Sequence, residues 1–172
     1  LSTVVVCGGE PILHQSLSSI VEYLANSDIF LIIHFNGTVR PSVDFLQLVK
    51  KHSPKKVGFR ISIDGIGPQF EYLRWPGKWE KFVSNVLWMR DNSPENVTFS
   101  FNFTQSLLNS YRFKETKSWI FQHFSSETPV DCHIAGSYMT PDRLQYWSQL
   151  DQKRKTDWKK TFPEIALEYP TV

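Results

Sequence analysis

Short apolar runs alternate with helical stripes along most of this chain, and that alternation limits the fold more than any other feature of the sequence. The strand predicted at Thr3 to Cys7 runs into Gly8-Gly9-Glu10-Pro11. Beyond it, Leu13, Leu17, Ile20, Val21 and Leu24 recur at spacings of three and four, as on one face of an amphipathic helix. Pro11 falls near its first turn, where a missing N–H costs little. The run from Ile29 to Ile33 is apolar at every position, as in a strand covered on both faces, and Asn36-Gly37-Thr38 supplies its turn. Val43, Leu46 and Val49 then predict a short helix ending near Lys50.

Val57, Phe59, Ile61 and Ile63 alternate with Gly58, Arg60 and Ser62, and this strand stops at Asp64-Gly65. Trp79, Phe82, Val83, Val86 and Leu87 form another helical stripe between Lys78 and Asp91. Val97, Phe99, Phe101 and Phe103 alternate strictly, a helix is expected near Phe113 to Phe124, and a last strand from Val130 to Ala135. Strands separated by helices in this way imply an α/β fold, with a parallel sheet and right-handed crossovers, either open or curled into a barrel. In such folds ligands sit at the carboxyl ends of the strands. Gly8-Gly9-Glu10, Asn36-Gly37, Asp64-Gly65 and the stretch from Asn102 to Gln105 therefore fall on one rim, which is where chemistry is expected.

Composition narrows the class without naming a partner. The chain has 172 residues, 41% of them hydrophobic, and a formal charge of +2, too small to argue for nucleic acid or an anionic membrane. Cys7 and Cys132 are the only cysteines, without CxxC spacing, so neither a disulfide framework nor a cysteine-rich metal knuckle is expected, and a reducing, cytoplasmic setting is. Cys7 reads as a small buried apolar residue. Cys132-His133 is too sparse for a metal site. Lys153, Arg154, Lys155, Lys159 and Lys160, near Trp147 and Trp158, read as a solvated helix face rather than a nucleic-acid patch. No stretch has the length of a membrane span. Residues 1–140 form the expected core, and 141–172, where the apolar spacing fades after Leu150, an appendage or linker.

A strand ending in GGEP, a second ending in NGT, and a third ending in ISIDG with Arg74 ten residues after Asp64 resemble the radical S-adenosylmethionine enzymes. The stretch QFEYLRWPGKWEKFVSNVLWMRD is similar to the branch whose members carry SPASM or twitch extensions after the barrel. The resemblance spans about Val4 to Trp119. It implies a partial (β/α)6 TIM-like barrel, with S-adenosylmethionine held by its amino-acid end on a 4Fe-4S cluster. Gly8 and Gly9, followed by Pro11, would let the backbone come close and take positive φ, and Glu10 would meet the ammonium group. Ser62 and Asp64 would face the ribose or the amino group. Arg74 would meet the carboxylate, where a guanidinium fork suits a planar anion. Asn36 and Gly37 would shape the rim, and His34 would pack or hydrogen-bond rather than catalyse.

The CxxxCxxC motif that ligates the cluster in this family is absent from the chain. Such a cluster needs thiolate ligands that two cysteines cannot supply. The expectation is a fragment whose first strand and helix, with the cysteines, lie upstream of Leu1. With that segment, the resemblance implies reductive cleavage of S-adenosylmethionine to a 5′-deoxyadenosyl radical and hydrogen abstraction from a substrate, with a peptide or protein as the expected class. The competing reading is a degenerate barrel that binds S-adenosylmethionine or a peptide without a cluster. An α/β enzyme handling phosphates ranks last, because Gly65-Ile66-Gly67 lacks the third glycine of a phosphate turn.

Overall fold

The structure, a computed structural model, describes residues 2–25, 27–52, 57–106, 109 and 112–134. The stretch 141–172 with its basic residues and Trp147 and Trp158, and the expected strand end at Ala135, lie outside the described residues. The strands are β1 (Thr3–Val6), β2 (Phe30–Phe35), β3 (Val57–Ser62), β4 (Val97–Gln105) and β5 (Val130–Ile134). They form one sheet in the order β1-β2-β3-β4-β5, and every adjacent pair is parallel. The helices are α1 (Ser16–Leu24), α2 (Val43–His52), α3 (Pro68–Leu73), α4 (Trp79–Asn92) and α5 (Phe113–His123).

Sequential order and right-handed crossovers together place the connecting helices on one side, because each step moves the chain the same way around the sheet. The core agrees with this. Leu17, Val21 and Leu24 of α1, Val49 of α2, Phe82, Val86 and Met89 of α4 and Ile120 of α5 share one cluster with Leu31, Ile33, Phe35, Val57, Phe59, Ile61, Val97 and Phe101. These strand residues are alternate positions in mutual register, Leu31 opposite Val57 opposite Val97, and Phe35 opposite Ile61 opposite Phe101. An aromatic wedge ties the helices together: Phe70 of α3 lies 4.6 Å from Phe82, and Trp79 lies 5.1 Å from Trp119 of α5. Phe70 and Phe82 are fully buried, which contributes roughly 1.5–3 kcal/mol each.

The other face carries the intervening positions. Ile32 and His34 of β2, Arg60 and Ser62 of β3, Ser100, Asn102 and Thr104 of β4 and Asp131 of β5 are half-buried. This corrects the reading of Ile29 to Ile33 as covered on both sides: Leu31 and Ile33 are buried under helices, whereas Phe30 and Ile32 are only half-buried. Gly58 leaves room on this face for the Phe30 ring, 3.0 Å from where a Cβ would stand.

Two further corrections concern local structure. Pro11 opens a short 3-10 turn, Pro11–Leu13, and the α-helix begins only at Ser16. Glu10, just before the turn, stays in extended backbone, at φ −143° and ψ 95°. The helix α3 was not anticipated, since six residues are too few to show a helical period.

Candidate functional site

The carboxyl ends of β1 and β2 meet in one corner of the rim. Gly8 has φ +138°, a conformation that side chains resist, while Gly9 does not share it, against the expectation of positive φ at both. A Cβ at either glycine would meet nothing within 4 Å, so the space beside this turn is open. Pro11 is buried beneath it. Glu10 Oε2 accepts a hydrogen bond from the Asn36 backbone N–H at 3.1 Å. Its other oxygen, Oε1, is buried without a partner among the described residues. Burial pushes the Glu10 carboxyl up to about 7, and the Asn36 and Ile12 backbone N–H groups only partly offset it.

Asn36 knits this corner. Its Nδ2 donates to the Gly9 carbonyl at 3.2 Å, and its Oδ1 accepts from Thr38 N at 2.9 Å and from Thr38 Oγ1 at 2.6 Å. The turn then passes through Gly37 at φ +76°, where an added Cβ would run into the Phe82 ring. Asn85 of α4, itself buried, donates from Nδ2 to the Gly37 carbonyl at 2.9 Å.

The corner at the ends of β3 and β4 is built from different bonds. Asp64 Oδ2 lies 2.7 Å from Arg74 Nη2, and Oδ1 accepts from Thr104 N at 2.8 Å. The two residues expected to face separate parts of a ligand are therefore paired with each other. Arg74 sits where α3 ends, and its Nε is buried without a partner among the described residues. Asn109 clamps the corner, donating 2.9 Å bonds from Nδ2 to the carbonyls of Asp64 and Thr104. Its Oδ1 accepts from Ser106 N at 2.6 Å.

Between the corners, on the half-buried face, Ser62 stands in register with Asn102, and Asn102 with Asp131. One row below, His34 is in register with Arg60, and Arg60 with Ser100. Arg60 Nη2 lies 3.3 Å from Asp131 Oδ2. Burial, and then the charge of Arg60, hold the His34 ring below its ordinary range, which favours its neutral form.

Gly8, Gly9, Glu10, Pro11 and Asn36 thus come together in one corner, Asp64 and Arg74 in another, and Ser62 lies on the face between. The sequence reading missed Arg60, Asn102 and Asp131 as a group, and Asn109 as a clamp. A polar residue at every second position of otherwise apolar strands was the available signal for the first three. Cys7 is exposed, not buried: it follows the end of β1 at Val6, in step with the exposed Thr3 and Val5. Cys132 is also exposed, and its thiol donates to Gln105 Oε1 at 3.3 Å. Among the described residues no three His, Cys, Asp or Glu side chains are grouped to hold a metal ion, and no helix is long and apolar enough to cross a membrane.

No protein-family model matches the chain, and no curated protein does. Among solved structures the chain is similar to a domain of pyruvate-formate lyase-activating enzyme from Bacteroides vulgatus ATCC 8482. The match has a TM-score of 0.53 at 12% identity, and covers 95% of this chain and 94% of that one. The likeness is one of fold alone.

Proposed function

We propose that this chain is the core of a radical S-adenosylmethionine enzyme, and that its rim binds the amino-acid end of S-adenosylmethionine. The Glu10 carboxylate carries the reading. Among the described residues it is the one acid on the rim that is held in place, desolvated and left with an unpartnered oxygen. An ammonium group supplies what Oε1 lacks and returns the acid to its charged form. The open space beside Gly8 and Gly9 admits such a group close to the backbone. In the second corner Asp64 fixes the Arg74 guanidinium by one nitrogen, which leaves Nε–H to meet a carboxylate. Further support comes from the sequence motifs and from the fold shared with a domain of an activating enzyme, whose family is the radical S-adenosylmethionine one.

The residues present fit S-adenosylmethionine and do not fit a 4Fe-4S cluster. Two cysteines cannot supply its thiolates, and Cys132 is engaged with Gln105. In this reading the cluster's ligands come from outside these residues, and no step through it is derived. When bound and given one electron by a cluster, S-adenosylmethionine would, in this family, supply chemistry that abstracts hydrogen from a substrate. The contribution of this chain is to bind and orient the cofactor by its charged end. The solved neighbour is named for activating another enzyme, and this favours a peptide or protein as substrate. The two-cysteine composition favours the second reading, a cofactor- or peptide-binding module without a cluster. Iron content after cluster reconstitution of the complete gene product separates the two.

Titration calorimetry with S-adenosylmethionine tests the site. Below pH 7 an ammonium bound at Glu10 expels a proton, so the apparent heat varies with the ionisation enthalpy of the buffer, and affinity rises as pH approaches 7. Glu10→Gln and Arg74→Lys are each expected to weaken binding by about tenfold or more. Unchanged affinity in both variants overturns the assignment.

A further inference from the structure

The half-buried face of the sheet holds polar atoms that the cofactor corners do not use. The guanidinium of Arg60 starts on β3 and reaches Asp131 on β5, so it passes over β4. Asp131 is in register with Asn102, which places the guanidinium at the level of Asn102. Two buried atoms without partners among the described residues belong to this spot, a donor at Arg60 Nε and an acceptor at Asn102 Oδ1. A buried donor and a buried acceptor left unsatisfied at neighbouring register positions of one face call for a ligand that offers both.

Charge decides what kind of ligand. Asp131 offsets the positive charge of Arg60, and the neighbouring His34 favours its neutral form. An anion entering here would compete with Asp131 and would give Asn102 Oδ1 no donor. A cation would face Arg60. A neutral group with one acceptor and one N–H donor satisfies both open atoms and leaves the ion pair intact. We propose that the Arg60–Asn102 layer is a binding subsite for an amide group of the substrate, its carbonyl accepting from Arg60 Nε–H and its N–H donating to Asn102 Oδ1.

The word substrate rests on the function proposed above; the amide subsite itself does not, because it uses none of the residues assigned to S-adenosylmethionine. The test is therefore run without the cofactor. Side-chain NMR signals of Arg60 Nε–H and the Asn102 amide are followed while the protein is titrated with N-acetylglycine N-methylamide, propionamide and acetate in turn. Saturable shifts of both signals by the first probe but not the second identify a peptide-bond amide, and by propionamide alone a side-chain carboxamide. Both outcomes support the subsite. Shifts by acetate alone, or by none of the three, overturn it. Asn102→Leu, which keeps the volume and removes the acceptor, is expected to weaken the responding amide by about tenfold. If that variant does not fold, the titrations of the unaltered protein decide the matter. Failure here with intact S-adenosylmethionine binding removes only the amide subsite, and the converse result removes only the cofactor assignment.

Discussion

Glu10 and Asp64 end neighbouring parts of the same rim, and the fold treats their carboxylates in opposite ways. Both Asp64 oxygens are used, one by the Thr104 backbone N–H and one by Arg74. Glu10 has one oxygen bonded to Asn36 N and the other buried without a partner. The first carboxylate holds β3, β4 and α3 in place. The second is held in place itself, at a cost in desolvation that the Asn36 and Ile12 backbone N–H groups recover only in part. A site of structural importance and a site of ligand importance can thus share residue chemistry, motif and position, and differ only in whether the bonds close within the chain.

The comparison is broken most directly at Asp64. Asp64→Ala strands a half-buried Arg74 and leaves the Thr104 N–H without its acceptor, and the expected loss of stability is about 2–4 kcal/mol. Urea unfolding measures it, and a loss below about 1 kcal/mol would show that the pair is solvated and does not hold the corner. Next in size is Gly37→Ala, which meets the Phe82 ring and needs φ +76° of an L residue. About 2–3 kcal/mol is expected. Since the turn also positions Asn36, whose N–H lowers the proton affinity of Glu10, this variant should raise that affinity further, visible by carboxyl NMR titration.

The smallest effect on stability is at Glu10, and its sign changes the usual expectation for an acid. The folded carboxyl titrates near 7 and the unfolded one near 4.5, so between these values the native state carries the extra proton. Stability therefore falls as pH rises through that window and is level above it. Glu10→Gln should abolish this slope and, at pH 8, stabilise the protein by about 1 kcal/mol. Thermal unfolding across pH 5 to 8 reads both. His34 acts oppositely, since its neutral ring favours the native state less as pH drops below 6.5, and the double variant with His34→Gln separates the two contributions. A Glu10→Gln variant less stable than the parent at pH 8 would make Glu10 a second Asp64.

The architecture was legible because helix and strand periods are both local signals. Phe99, Phe101 and Phe103 alternate as a strand must, and Val83 and Val86 repeat as a helix must. The rim followed from strand ends alone. What could not be read is where long side chains close across strands. Arg60 is an unremarked cation in the sequence, and only the register shows it reaching Asp131 across β4. Asp64 and Arg74 were recognised as residues of interest but not as partners, because their contact depends on α3, a helix too short to leave a pattern. Cys7 ends a hydrophobic run and was expected to be buried, yet it falls in step with Thr3 and Val5, which are themselves exposed.

The bond from Asn85 to the Gly37 carbonyl ties the rim to the helical layer. Asn36, the next residue, hands its own N–H to Glu10. Three consecutive attachments therefore run from the interior of α4 to an ionisable oxygen, with no freely swinging side chain between them. Their consequence is mechanical: because the Asn36 N–H lowers the proton affinity of Glu10, a sliding of α4 that lengthened that bond would raise the affinity at the far end of the linkage.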